Sequence, residues 1–401
     1  MEKLLHAQII HYLTSNSLLY KHQAGFLPTH STVTQLCYLI HNWQMALDKG
    51  DHTQAVFLDL SKAYDRVSIP GLLFKLSALG FSSDALQWLS SFLTDRQQCV
   101  RVNGCLSSSQ CPRSGIPQGT VLGPVLFLVF INDLPCSISS ECSIFADDTT
   151  VHSTGSDARS TCLSLSNDLH SASEWASIWG MLFNAQKSVH LSVSSGTNKE
   201  IAGLQSYVTM DNIPLLQVAS HKHLGVHVHK TLSWQCHIDH LYTACAQKVG
   251  MLKRLRRRIG KNALRKIYEG AVRPRLEYAC AVWSGGPIAK LVKLQENFCR
   301  RHDLQMPSLQ QRFAYHTLVL FYKLHSHRAP LYLTSLLPSL SSNSGYPFRK
   351  LSYPVPLVKK TSTLSSFIPR SIILWNDLPS FVQQSRSISI FKTRLRSHLK
   401  L

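Results

Sequence analysis

Two adjacent carboxylates, Asp147 and Asp148, stand in the middle of residues 143–151, Ser-Ile-Phe-Ala-Asp-Asp-Thr-Thr-Val. The β-forming residues on either side predict a hairpin with acid at its tip. Neighbouring like charges between two apolar strands repel unless a cation neutralises them. The arrangement therefore points to a divalent ion held by both acids, or by one of them and a distant partner. An Asp-Asp pair on its own also suits an ordinary solvated turn. A second acid tips the balance. Residues 54–61, Gln-Ala-Val-Phe-Leu-Asp-Leu-Ser, read as a buried strand, and Asp59 interrupts its apolar run near the C-terminal end, where an unpaired carboxylate is costly. With these strands side by side in one sheet, Asp59 meets Asp147 and Asp148. That is the acid cluster a two-metal phosphoryl-transfer site requires.

Between the two strands, residues 113–124 (Arg-Ser-Gly-Ile-Pro-Gln-Gly-Thr-Val-Leu-Gly-Pro) form a Gly/Pro-rich turn that runs into an apolar, helix-like stretch over 121–134. Backbone amides at such a turn can approach a phosphate or a base closely. Charge agrees with a polyanionic partner: 42 Lys and Arg face 22 Asp and Glu across 401 residues, a net charge of +20.

Three segments in order, residues 56–67 (Val-Phe-Leu-Asp-Leu-Ser-Lys-Ala-Tyr-Asp-Arg-Val), 114–119 (Ser-Gly-Ile-Pro-Gln-Gly) and 145–148 (Phe-Ala-Asp-Asp), closely resemble the core motifs of reverse transcriptases, above all those of jockey-like non-LTR (LINE) retrotransposons. Residues 23–32 (Gln-Ala-Gly-Phe-Leu-Pro-Thr-His-Ser-Thr), 183–187 (Phe-Asn-Ala-Gln-Lys) and 223–226 (His-Leu-Gly-Val) agree. The resemblance implies an RNA-directed DNA polymerase that extends a primer 3′-end with deoxynucleoside triphosphates on an RNA template. It implies Asp59, Asp147 and Asp148 as metal ligands for two Mg²⁺ ions roughly 3.5–4 Å apart. Tyr64, five residues after Asp59, matches the ring that blocks a ribose 2′-hydroxyl. Gln118, with Pro117 and Gly119 shaping its turn, matches the contact to the incoming nucleotide and template. Lys187 matches a lysine that protonates the leaving pyrophosphate, and it equally suits a solvated surface position. Leu224 and Gly225 fall in the segment that grips the primer end.

The fold expected is mixed α/β (α+β), a right-hand polymerase with partial fingers over 1–53, an antiparallel-sheet palm over 54–230 carrying the motifs and primer grip, and a helical thumb and connection over 231–336. A Ser/Pro-rich linker follows over 337–366, then a small basic helical element over 367–401, for which either RNA binding or packing is open. Periodicity predicts helices near 70–79, 83–93, 157–178, 288–301 and 308–326, a hairpin around Gly104, a turn at Asp211-Asn212 and a strand over 188–194. Over 234–258, Trp234, Ile238, Leu241, Cys245, Val249, Leu252 and Leu255 recur at helical spacing. Lys248, Lys253, Arg254, Arg256, Arg257 and Arg258 crowd its C-terminal half, where they complement the helix dipole and, so closely gathered, call for phosphates.

Departures from the family pattern matter too. A strand of Arg-Pro-Ile-Ser type that precedes the fingers in relatives has no counterpart, no endonuclease segment is recognised, and Leu27 stands where arginine is common. A catalytically impaired, truncated product that only binds RNA is therefore the alternative expectation. Eleven cysteines lack metal-ligand spacing. Cys236, His237, His240 and Cys245 are expected on different faces of one helix, so no structural zinc is expected. The first residues have no signal-peptide pattern, and the longest apolar run, 121–131, is too short to span a bilayer. A soluble, intracellular protein of nucleus or cytoplasm is expected, with its oligomeric state open.

Overall fold

The computed structural model describes residues 1–195, 208–255, 258–340 and 352–401. The chain forms two compact units. The first gathers Met1–Ser31, Thr53–Ser192 and the described part of Asn198–Val218, and the second gathers Thr32–His52, Ala219–Leu401 and a short piece after Ser192.

The first unit is built on a sheet of five strands in the order Glu141–Phe145, Asp148–Gly155, His52–Leu58, Val189–Val193 and Leu216–Gln217. The first pair is antiparallel, and the last is parallel, pairing Val189 with Leu216. The sheet is thus mixed, where an all-antiparallel one was expected. The parallel pair arises from two residues that run beside Val189 and His190. The strand His52–Leu58 is buried along its whole length, polar His52, Thr53 and Gln54 included, because it has a neighbouring strand on each side. The helix Gly123–Ile131 is apolar on every side and accordingly lies inside the core with Val56, Leu58, Leu72, Leu76, Leu165 and Leu169. Its first amide, Gly123 N–H, is capped by Thr120 Oγ1 at 3.1 Å, and two residues before the helix Val121 N–H donates to the distant Glu2 carboxylate at 2.7 Å.

Neighbouring helices start where the sequence places caps. Ser68 accepts from Gly71 N–H to begin Ile69–Ala78, with Pro70 in the first turn. Ser82 begins Ser83–Leu93, and Asp157 accepts from Arg159 and Ser160 to begin Ala158–Ile178.

The second unit is mostly helical. The hairpin Ser220–His223/Val226–His229 leads into the helix Gln235–Leu255, followed by Lys261–Ala271, Ala289–His302 and Leu309–His325. The helix Thr32–Lys49 belongs to this unit and buries Leu36, Leu39, Ile40 and Trp43. At its end Asp48 accepts from the Lys359 and Lys360 amides at 2.8 and 2.7 Å. The terminal helices Phe367–Asn376 and Ile388–His398 pack on Leu309–His325, where Tyr322 stacks on Phe391 at 4.3 Å. Among the described residues no helix is long and apolar enough to cross a membrane.

One buried charge ties three elements of the first unit together. Lys75, 6% exposed, donates to the Phe130 carbonyl and to Asp133 Oδ1, each at 2.6 Å. Its ammonium also lies 3.7 Å from the Trp179 ring centroid, and Trp175 Nε1 donates to the same Asp133 oxygen at 3.1 Å. Burial pushes the Lys75 ammonium below its ordinary range, against the pull of Asp133. Removing the anion alone strands the cation. Asp133→Ala is expected to cost about 2–3 kcal/mol in urea unfolding, less than a fully buried pair because Asp133 is 41% exposed. Lys75→Met, which keeps the apolar stem and removes the charge, should cost less, and the opposite ranking would refute this account.

Candidate active site

The hairpin register pairs Phe145 with Asp148 and Ile144 with Thr149, leaving Ala146 and Asp147 as a two-residue turn. Ala146 takes a positive φ of 59°, an uncommon conformation for a residue with a side chain. A neighbouring segment holds it there. Ile144 N–H donates to the His22 carbonyl at 3.1 Å, and Ala24 N–H donates to the Ile144 carbonyl at 2.8 Å. Gln23, 1% exposed, accepts through Oε1 from both Ala146 N–H at 3.2 Å and Gly25 N–H at 2.8 Å. Gly25 sits so close that a Cβ there would lie 2.5 Å from Ala146 N. Gln23 and Gly25 thus position the acidic tip. They belong to the family-like stretch at 23–32, but nothing in a sequence says that a glutamine will be buried under a turn more than a hundred residues away.

Asp59 follows the last residue of the central strand, next to the strand that Asp148 opens. Thr53 Oγ1 lies 2.9 Å from Thr154 Oγ1 at one end of this strand pair, and Asp59 acts electrostatically on Asp148 at the other. Asp59 thus acts on the start of the neighbouring strand while Thr53 meets its far end, so the pair runs antiparallel, with Asp59 on the same end of the sheet as Asp148. Burial first, then the charges of Asp147 and Asp59, raise the Asp148 carboxyl above its ordinary range. The Asp59 backbone is fixed on its other side, where its N–H donates to Ser188 Oγ at 3.1 Å and its carbonyl accepts from Asn184 N–H at 2.8 Å. Lys187 lies in that same turn, exposed, with its N–H on the Asn184 carbonyl at 3.1 Å.

These acids fit a divalent metal by their chemistry: hard oxygen donors, concentrated negative charge and access to solvent for Asp147 and Asp148. Their oxygens are not all drawn within 4.8 Å of one another. Ligands shared between two ions are spaced over a wider site than those of a single ion.

Tyr64 stands beside this cluster, on the short helix Ala63–Arg66. Its ring stacks on Phe127 at 4.8 Å and 15°, and its hydroxyl pKa is pushed up to about 12 by burial and then by the Asp147 charge. The turn at 114–119 is laced to the same helix. Ile116 N–H donates to the Tyr64 carbonyl at 2.9 Å, Ser114 Oγ to the Asp65 carbonyl at 2.9 Å, and Gln118 Nε2 to Asp65 Oδ1 at 2.9 Å. Gly115, at φ 96°, has Asp65 O where a Cβ would go. Pro117 and the exposed Gly119, at φ 81°, complete the turn. Alongside opens a polar cleft of about 690 Å³ whose lining includes Lys62, Arg96, Arg113 and Gln118. The Arg96 Nε is buried without a hydrogen-bond partner. These three cations come from separate stretches of chain, so no local pattern announces them.

The remaining sequence candidates belong to the second unit. Leu224 and Gly225 form the hairpin tip, both at positive φ, with the Leu224 carbonyl accepting from Tyr278 OH at 2.8 Å and Gly225 pressed against the Tyr278 ring. Of the predicted stripe, Trp234 just before the helix Gln235–Leu255 and Ile238, Cys245, Val249 and Leu252 on it are buried, Leu241 is half-buried and Leu255 is exposed. Lys248 is occupied, donating to the Ala271 carbonyl at 3.0 Å. Lys253, Arg254 and Arg258 are exposed, and Arg256 and Arg257 lie outside the described residues.

Residues 1–228 match the family described as reverse transcriptase (RNA-dependent DNA polymerase). The chain is 29% identical over 293 residues to the probable RNA-directed DNA polymerase from transposon BS of Drosophila melanogaster, covering 70% of this chain and 32% of that protein. It is 32% identical over 279 residues to the RNA-directed DNA polymerase from mobile element jockey of Drosophila funebris, covering 66% of this chain and 29% of the other. Among solved structures it is similar to telomerase from Candida tropicalis in complex with a TWJ fragment of telomeric RNA, at a TM-score of 0.45 and 10% identity over all of this chain and 56% of that one. The chain spans about a third of the length of the curated relatives it matches. With its matched segment covering more than half its length and containing the acid cluster, the chain belongs to the reverse transcriptase family.

Proposed function

We propose that this chain is the polymerase part of a non-LTR retrotransposon protein, an RNA-directed DNA polymerase that extends a primer 3′-end by nucleotidyl transfer. The observation that carries the reading is the meeting of Asp59 with Asp147 and Asp148 across neighbouring strands, with Tyr64 beside them. In this reading Asp59, Asp147 and Asp148 hold divalent ions, two Mg²⁺, which when bound lower the pKa of the primer hydroxyl and balance charge on the phosphates. The primer 3′-hydroxyl loses its proton to solvent, its oxygen bonds to the α-phosphorus as the bond to the β-phosphate oxygen breaks, and Lys187 gives a proton to the departing pyrophosphate. Tyr64, immobilised by Phe127, closes the space a 2′-hydroxyl needs.

Lys62, Arg96 and Arg113 give the adjoining cleft a positive wall for phosphates, and Gln118, held by Asp65, borders it. The first unit would supply most of the palm and Met1–Ser31 of the fingers, and the second unit, which also takes Thr32–His52 of the fingers and the hairpin at Leu224–Gly225 of the palm, would supply the thumb and its continuation. Leu224 and Gly225 would meet the primer end, and Lys253, Arg254 and Arg258 the backbone of the template–primer duplex.

Primer extension on an RNA template with Mg²⁺ tests the reading. Asp59→Asn and Asp147→Asn are each expected to lower the rate on the order of 100-fold or more. A product insensitive to both variants would assign the synthesis to something else, and retained salt-sensitive RNA binding without any wild-type product would favour a binding-only protein. Tyr64→Ala should incorporate ribonucleotides that the wild type rejects, and unchanged sugar selection would remove Tyr64 from that role.

The raised Asp148 carboxyl has a consequence for stability. A carboxylic acid whose folded-state pKa lies above its unfolded value stabilises the fold at low pH, and that contribution disappears as pH rises through the folded pKa. As pH rises through that folded pKa, the metal-free protein takes on the cost of ionising Asp148 beside Asp147 and Asp59. Asp148→Asn is expected to raise its melting temperature, and Mg²⁺ to stabilise the wild type more than the variant. Equal Mg²⁺ responses would argue against metal binding there.

A further inference from the structure

A second group of metal-type ligands lies far along the chain from the acids, where the hairpin Ser220–His229 meets the first turns of the helix Gln235–Leu255. His227, Cys236 and His240 each offer one ligand atom, and these atoms all lie within 4.8 Å of one another. Cys236 and His240 are four residues apart and so share one face of the helix. His227 reaches them from the strand Val226–His229, and its ring lies parallel to that of His240 at 4.0 Å and 14°.

The surroundings hold the three in place. His227 N–H donates to His237 Nδ1 at 3.2 Å, tying strand to helix, and His237 packs edge-on against the buried Trp283 at 5.2 Å. His240 Nδ1 lies 2.8 Å from the Cys236 carbonyl. The same nitrogen lies 3.7 Å from Cys236 Sγ, so this ring edge faces both the carbonyl and the thiol of Cys236. Cys236 and His240 are accessible to solvent, so an ion can enter.

One thiolate with two imidazoles is a soft, nitrogen-rich donor set that suits zinc and does not suit magnesium or calcium. Tetrahedral zinc, with bonds of about 2.0–2.3 Å, sets its donors about 3.3–3.7 Å apart and lies in the plane of each ring it binds, so ligation requires the His227 and His240 rings to turn out of their parallel stack. We propose that His227, Cys236 and His240 bind one zinc ion, whose fourth position is filled by water, and that the ion clasps the hairpin to the helix. The hairpin tip Leu224–Gly225 is then anchored at its base by the metal and at its end by Tyr278.

This departs from the expectation of no zinc. Of the four residues considered in sequence, His237 and Cys245 do face inward, at 2% and 0% exposure. Cys236 and His240 share the outer face, and the third ligand comes from a strand that no ligand-spacing pattern within the helix includes.

Cobalt(II) titration of the full chain after chelator stripping tests the site without reference to polymerase activity. A 1:1 complex with tetrahedral visible bands and a thiolate charge-transfer band in the near ultraviolet is expected, with zinc displacing the cobalt. Cys236→Ser should abolish the thiolate band, and His240→Gln, a change at an exposed position, should weaken binding by at least about tenfold. His227→Gln should do the same, while Cys299→Ser should leave the spectrum intact. Circular dichroism of each variant confirms folding. A thiolate band that persists in folded Cys236→Ser, a purely octahedral spectrum, or affinity unchanged by both histidine variants would overturn the proposal.

Discussion

Three like charges held together across two neighbouring strands are the constraint around which the first unit is organised. Bringing Asp59 to Asp147 and Asp148 requires the His52–Leu58 strand to lie directly beside Asp148–Gly155, antiparallel and in one register. A slip of one residue would turn every side chain to the other face. The repulsion among the acids opposes that register. What sustains it is the burial of the central strand and the apolar helix Gly123–Ile131 in one core, together with the amide of Gln23, which ties down the turn from beneath.

The second layer of the site grows from the same core. Phe127 lies on the buried helix and carries the Tyr64 ring, while Tyr64 and Asp65 carry the turn that ends in Gln118. The acids, the ring beside them and the neighbouring turn are therefore fixed relative to one another by packing and hydrogen bonds within one unit. That rigidity is what a site needs when its chemistry is positioning and charge balance.

Local signals were legible in the residues wherever the physics is local. Asp157 caps the helix that ends near 178, Ser68 with Pro70 starts another, and Asp211-Asn212 makes a turn at positive φ, all as the side chains themselves dictate. Contacts over long chain separations were not legible. Lys75 reads as an ordinary helix lysine until Phe130, Trp175, Trp179 and Asp133 surround it. The helix Thr32–Lys49 follows the opening residues in sequence yet buries its apolar face in the second unit. Arg96 and Arg113 are unremarkable in their own segments and share a cleft with Lys62 only once the chain has folded.

The sequence by itself determined the reaction class to consider. Asp59, the Asp147–Asp148 pair, Tyr64 and Gln118 stand in an order and spacing that resemble the reverse transcriptase motifs, and a carboxylate next to a buried apolar run needs a chemical reason. Tertiary structure decided how those acids are held, through Gln23 and Gly25 under the turn and Ser188 and Asn184 against Asp59. It also decided which histidines and cysteine meet at the base of the hairpin. Motifs record which groups react, whereas ligand clusters and buried supports depend on distances between residues remote in the chain, and only folding sets those distances.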